Sequence, residues 1–237
     1  MNVEAALYLI PTNISDAPFS DFFPEGNIAI VRQLKHFIVE NVRTARRFLK
    51  KCDASIDISG ITFYELNSHT DQKEVWSFMQ PLHNGEGVGI MSEAGCPGVA
   101  DPGALPVSIA QREGLRVIPL SGPSSILMSL MASGMNGQHF AFNGYLPVDP
   151  KERERKLREL ELTSIKNDMT QIFIETPYRN AKMFESILKI LRPETLLCIA
   201  SEITDPLNER IVTKTIDGWR KANYEMGKYP AIFLIHG

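Results

Sequence analysis

Cysteine is scarce: Cys52, Cys96 and Cys198 are the only three in 237 residues, an odd number at wide spacing with no C-x-x-C. That excludes a disulfide scaffold and offers no zinc knuckle, so buried thiols are the expectation. The five histidines, His36, His69, His83, His139 and His236, show no H-E-x-x-H or related ligand spacing, and no metal is expected. Apolar runs such as Ala231–Ile235 fall far short of the ~18–20 residues of a membrane span, and no charged n-region with a cleavage site opens the chain. The expected location is therefore the cytoplasm, with no membrane partner. Neither sign of charge dominates: 25 Lys+Arg stand against 28 Asp+Glu, a formal net charge of −3. This argues against non-specific coating of nucleic acid but leaves room for a local basic patch. There is no P-loop, no G-x-S-x-G elbow and no paired-Asp metal signature, which removes the usual support for kinase, hydrolase and nuclease chemistry. Gly85, Gly87 and Gly89 precede a strand instead of parting strand from helix, so they fail as a dinucleotide fingerprint.

What is present is an ordinary globular composition, 43% hydrophobic and 22% charged, in which short β-rich runs alternate with helix-period segments. Strands are expected at 5–10, 37–40, 61–66, 88–91 and 115–120, with helices at 41–51, 71–79, 104–112 and 126–133 between and after them. Further strands are expected at 140–146, 171–175, 196–202, 210–215 and 231–235, with helices at 151–162 and 180–191. The second half is richer in consecutive strands, so its sheet should be mixed. The reading is an α/β chain of two domains, 1–121 and 122–237.

Open α/β sheets bind ligands beyond the carboxyl ends of their strands, so the loops that follow strands carry the information. Four stand out: 11–13, 92–103, 122–125 and 175–179. The second, SEAGCPGVADPG, combines three glycines that admit a close backbone approach with two prolines that stiffen the loop, and it carries Glu93 and Asp101. Gly122–Ser125 opens a helix whose free N–H groups suit a carboxylate or a ribose hydroxyl. This far, the residues describe a binder of a small polar ligand without naming it.

The same loops resemble the tetrapyrrole methylase superfamily and, within it, the ribosomal RNA small-subunit methyltransferase I branch. LYLIPTNIS (7–15) is similar to a strand ending in P-T-P-I-G-N, VENVRTARRFL (39–49) to an A-E-D-T-R helix entry, and SEAGCPGVADPG to S-D-A-G-T-P-x-I-x-D-P-G. LRVIPLSGPSS (115–125), NGYLP (143–147), KERERKLREL (151–160), FIETPYR (173–179) and SEITDPLNERI (201–211) follow in the family's order, so the likeness covers nearly the whole chain.

The resemblance implies a two-domain fold, with a mostly parallel sheet first and a mixed sheet second. It also implies a cleft between the domains that binds S-adenosylmethionine, and a homodimer. Carried over position by position, the cofactor would meet Pro11, Ala94, Gly95, Cys96, Val99, Ser124, Ser125, Glu175 and Ala231. Cys96 stands where the family usually has Thr; it keeps a small side chain and loses the stronger hydroxyl donor. The segment Glu40-Asn41-Val42-Arg43 departs from E-D-T-R by losing the second carboxylate and the Thr hydroxyl.

Methyl transfer from a sulfonium needs collinear alignment more than a strong base, but a ribose hydroxyl must still lose its proton. Glu40, Glu93 and Asp101 are the candidates to accept it, with a Glu40–Arg43 surface ion pair as the structural alternative. Arg43, Arg46 and Arg47 are the substrate-binding candidates. Lys50 and Lys51 add charge on the same helix, and Lys151, Arg153, Arg155, Lys156 and Arg158 supply a second basic helix. The expected function is 2′-O-methylation of a ribose in small-subunit ribosomal RNA. The alternatives are methylation of a small molecule such as a tetrapyrrole and a non-catalytic cofactor- or RNA-binding relative.

Overall fold

The computed structural model describes residues 3–67 and 69–237. The chain divides into two compact units, Met1–Ser124 and Ser125–Gly237. In the first, β1 (Leu7–Leu9) leads through α1 (Phe19–Phe22) and α2 (Glu25–Val31) to β2 (His36–Val39) and α3 (Val42–Cys52). Then come β3 (Thr62–Glu65), α4 (Gln72–Ser77), α5 (Gln80–His83), β4 (Val88–Met91), α6 (Ala104–Arg112) and β5 (Val117–Pro119). The strands form one sheet in the order β3-β2-β4-β1-β5, every pair parallel.

Because helices cover both faces of this sheet, its strands are apolar on both sides. Phe37 and Val39 of β2 join Tyr8, Ile10, Phe48 and Leu49 in one cluster, while Ile38 joins Leu7, Val88, Ile90 and Ile109 in the other. The alternation follows from the two-residue period of a strand. Pro119 is accommodated because β5 is an edge strand, where a missing N–H breaks no inner ladder.

The second unit contains α7 (Ser125–Ser133), β6 (Phe140–Tyr145), α8 (Pro150–Asn167), β7 (Thr170–Glu175) and α9 (Asn180–Ile190). It continues through β8 (Leu196–Ser201), β9 (Arg210–Thr215), α10 (Ile216–Lys221) and β10 (Ala231–His236). Its sheet runs β6-β7-β10-β8-β9, parallel only between β6 and β7. The mixed sheet matches the expectation from the strand-rich second half.

Several local expectations need correction. The helix expected over 71–79 is α4, which ends two residues early at Ser77, and a further helix outside that expectation, α5, follows it with Pro81 inside its first turn, where the missing N–H is harmless. The helix expected over 151–162 runs on to Asn167 and ends at Asp168 in the left-handed conformation. Helices α1, α2 and α10 fall in stretches where the sequence pattern points to no helix. In α2 the β-branched Ile28, Ile30 and Val31 argue for a strand, but Val31 packs in the core and Asn27 donates its amide to Ser121 O at 2.7 Å. Among the described residues no helix is long and apolar enough to cross a membrane.

Candidate active site

In the first sheet β1 and β4 are neighbours, yet the chain leaves β1 toward β2 and leaves β4 in the opposite direction toward β5. The connections after these two neighbouring strands therefore run in opposite directions past one another, a topological switch point at the carboxyl end of the sheet, where open α/β sheets take ligands. The two loops are tied across it. Thr12 N donates to Gly95 O at 2.9 Å and Gly95 N to Thr12 O at 3.3 Å, and the Thr12 hydroxyl donates to Ser92 O. Gly95 has φ +72°, a conformation a side chain resists.

The third loop closes on the same point. Cys96 Sγ donates to Pro123 O at 3.4 Å, and Gly122 packs directly on the Pro11 ring. The candidates Pro11, Ala94, Gly95 and Cys96 are thus gathered with the Gly122–Ser124 turn into one backbone-rich cradle. Pro11 and Gly95 are buried, whereas Ala94 and Val99 are exposed on the long loop. Burial pushes the Cys96 thiol up, in keeping with a packing role and not a nucleophile.

The three carboxylates expected from different stretches of sequence also converge. Glu40 follows β2 directly, Glu93 follows β4 after Ser92, and the paired positions Val39 and Met91 at the two strand ends lie side by side. Asp101 arrives on the long loop. Burial, then the charges of Asp101 and Glu93, hold Glu40 above the usual carboxylate range, against one backbone hydrogen bond from Glu93. Burial likewise raises Asp101, with Glu93 adding to it and the Ser92 hydroxyl opposing. One oxygen of Glu40, Oε2, is buried without a hydrogen-bond partner. The alternative Glu40–Arg43 ion pair is not among those of the described residues.

Helix α3 forms where it does because Asn41 caps it, its side chain accepting from Arg43 N at 2.9 Å and Thr44 N at 3.4 Å. Asn and Asp are comparably good caps, so an amide at 41 starts the helix as well as a carboxylate would. Ala45, Phe48, Leu49 and Cys52 bury the apolar face. The polar face beside it borders a cleft of about 280 Å³ lined by Thr44, Arg47, Phe48 and Lys51, with Thr12, Asn13, Asp16, Met91, Ser92 and Glu93 opposite. Thr44 donates its hydroxyl to Glu93.

The cations of α3 therefore separate by position. Arg47 borders the cleft, Arg46 lies over the Phe63 ring at 5.5 Å, Lys50 donates to Ala54 O, and the Arg43 side chain lies outside the cleft lining. On α8, Arg153 is buried and bonded to Ser186 Oγ and Val148 O, which makes it structural. Lys156 is paired with Glu159. The side chains of Thr12, Asn13 and Thr44 carry no assignment from sequence; the available signal is the i, i+3, i+4, i+7 spacing of 44, 47, 48 and 51.

In the second unit, Ser125 opens α7. Glu175 and Ala231 are cross-strand partners of β7 and β10, so two of the positions implied by the resemblance share one row of the sheet. The Glu175 carboxylate is buried, accepts from Thr176 N at 2.7 Å and is paired with Arg179 at 2.5 Å. Among the described residues no group of three or more His, Cys, Asp and Glu side chains is arranged to hold a metal ion.

No family model matches the chain. Individual relatives do. The chain is 30% identical over 239 residues to the ribosomal RNA small subunit methyltransferase I of Vibrio cholerae, covering 98% of this chain and 77% of that protein. The chain belongs to the ribosomal RNA small subunit methyltransferase I family. The protein of the same name from Escherichia coli O157:H7 is 27% identical over 86% of this chain and 67% of its own length. Among solved structures, the methyltransferase CobJ superposes with a TM-score of 0.60 at 17% identity, covering 92% of this chain and 89% of that one. The fold of this small subunit methyltransferase I member is accordingly the two-part α/β fold of the tetrapyrrole methylases, and the protein is a methyltransferase.

Proposed function

We propose that this protein transfers a methyl group from S-adenosylmethionine to a ribose 2′-hydroxyl of small-subunit ribosomal RNA. The observation that carries the reading is the switch point, where a backbone-rich cradle adjoins three carboxylates and a cleft that Arg47 and Lys51 border on one side, in a chain 30% identical to a named member of the family. The alternative of a tetrapyrrole substrate belongs to a related branch whose solved member here shares only the fold.

The cradle fits the cofactor. Exposed Ala94 and Val99 offer small apolar surface for an adenine, and the Thr12–Gly95 bridge, whose own main-chain groups are paired, fixes the flanking loop backbone that would meet ribose and amino-acid polar atoms. Pro11, Ala94, Gly95, Cys96, Val99 and Ser124 of the first unit are the residues proposed to hold it. When bound, S-adenosylmethionine supplies an electrophilic methyl group. The chain's own work is to align the ribose and to take its proton. Glu40 is poised to take the proton, since its Oε2 lacks a partner and its raised pKa brings it nearer to the operating pH, as suits a general base. Asp101 and Glu93 sustain that environment.

We further propose a homodimer, supported by Leu127 and Met131 on α7, which are 50% and 83% exposed. The location we propose is the cytoplasm, where the RNA substrate resides. The test is calorimetric titration with S-adenosylmethionine, followed by labelled-methyl transfer to small ribosomal subunits from cells lacking the endogenous enzyme. Label in the ribose is the expected result. Cofactor binding without label in RNA would move the substrate to a small molecule.

A further inference from the structure

The cleft beside α3 contains none of the positions proposed for the cofactor, although Thr12 and Glu93 in its wall are the immediate chain neighbours of Pro11 and Ala94. It adjoins the tied loops through Thr12, and it shares Glu93 with the carboxylate cluster. Its volume of about 280 Å³ lies just below the ~300–1,000 Å³ of ligand pockets and suits one mononucleotide unit, not a duplex.

Its chemistry is divided. On the α3 side Arg47 and Lys51 stand one helical turn apart. Arg47 makes no ion pair among the described residues, and Lys51 has only a 3.7 Å contact to Asp16, itself almost fully exposed. Such an exposed pair holds Lys51 weakly. Guanidinium and ammonium side by side favour a phosphate, the first by two parallel N–H bonds and the second as a point charge. Opposite them are acceptors: the Glu93 carboxylate, oriented by the Thr44 hydroxyl, and the Asn13 amide, whose Nδ2 is committed to Ser15 O at 2.7 Å so that its carbonyl is left over. Acceptors there suit the hydroxyl donors of a sugar.

We propose that this cleft is a subsite for one single-stranded ribonucleotide flanking the reacting ribose, its phosphate held by Arg47 and Lys51 and its sugar hydroxyls by Glu93 and Asn13. The proposal rests on the RNA methyltransferase reading and adds to it the compartment, the partition of roles and the preference for a ribose over a deoxyribose at that position.

The test uses the full chain, a fluorescently labelled single-stranded RNA pentamer of mixed sequence, and the DNA pentamer of the same sequence. Binding is measured across a salt series for the unsubstituted protein, for Arg47→Ala/Lys51→Ala and for Lys35→Ala. Lys35 precedes β2 and so lies at the opposite end of the parallel sheet, which makes it the control for loss of a surface cation. The double variant is expected to weaken RNA binding about ten- to a hundredfold and to lower the log–log salt slope by about 0.7, one phosphate's worth, with S-adenosylmethionine binding unchanged. Lys35→Ala is expected to leave both unaltered, and the DNA pentamer to bind more weakly than RNA.

If the unsubstituted protein labels small subunits but the double variant binds RNA as well as Lys35→Ala does, the subsite is overturned and the methyltransferase reading stands. Equal affinity for RNA and DNA would likewise overturn the sugar contacts. If the unsubstituted protein neither binds the pentamer nor labels small subunits, the reading on which the subsite rests has failed and takes the subsite with it.

Discussion

Gly122 backs directly onto Pro11: a Cβ at position 122 would lie 2.7 Å from Pro11 Cγ and closer still to its Cβ. The contact joins the turn after β5 to the loop after β1, and it admits no side chain because a proline ring cannot swing aside. Gly122→Ala is expected to cost about 1–3 kcal/mol of stability, the range for overpacking, and to weaken S-adenosylmethionine binding. Urea denaturation and calorimetry check the two effects. A Gly122→Ala protein with unchanged cofactor affinity would show that the turn takes no part in the cradle.

Much of this arrangement is legible in the residues. The 92–103 loop stands out by its glycines and prolines, and strand runs such as 88–91 are apolar enough to be placed to the residue. The convergence of Glu40, Glu93 and Asp101 follows once β2 and β4 are neighbours, but a chain order that puts β4 between β2 and β1 is not written in local periodicity. Arg46 and Arg47 differ in neither type nor exposure; only the 100° step between them on the helix sends one to Phe63 and the other to the cleft. Arg153 reads as surface charge among its charged neighbours, and its burial is decided by Ser186 on α9, 33 residues later. Helix α2 is hidden because packing overrides the strand preference of its isoleucines.

The carboxylate cluster makes stability and activity pull in opposite directions with pH. Glu40 and Asp101 hold pKa values above those of the unfolded chain, so the protonated forms favour folding. That contribution is fully present below the ordinary carboxylate range and is lost as pH rises through the raised values. Glu40→Gln, neutral at every pH, is expected to be a few tenths to about 1 kcal/mol more stable than the unsubstituted protein near pH 7. The figure is kept small because solvent partly screens the carboxylate. The advantage should shrink to nothing on acidification, while methyl transfer by the variant falls across the whole range. Thermal melts from about pH 4 to 8 read the first effect and initial rates the second. A variant less stable at neutral pH would contradict a desolvated, repelled carboxylate.

The three thiols should be inert in the folded protein. Burial, and secondarily Asp53, pushes Cys52 up to about 12; burial also raises Cys96, and it raises Cys198 despite a hydrogen bond from Thr213 that lowers it. Since the thiolate is the reactive form, titration with an aromatic disulfide near pH 8 is expected to modify none of them within minutes and all three after unfolding in guanidinium. Rapid native labelling of Cys96, the half-buried member, would show that its link to Pro123 O opens readily.

The Glu175–Arg179 pair separates a structural role from a binding one. The Glu175 side chain is only 2% exposed, and its Oε1 already accepts from Thr176 N while meeting Arg179. Removing the cation leaves a buried charge with one amide for compensation, so Arg179→Ala is expected to cost about 3–5 kcal/mol. Glu175→Gln in the Arg179→Ala background should restore part of that loss, because a neutral amide is cheaper to bury than an unpaired carboxylate. Chemical denaturation of the four members of this cycle gives the coupling energy. Calorimetry on the members that remain folded then tells what the carboxylate is for. If S-adenosylmethionine affinity is retained when Glu175 is neutral, Glu175 serves the end of β7 as a brace. If affinity falls while stability recovers, its charge is felt by the cofactor directly.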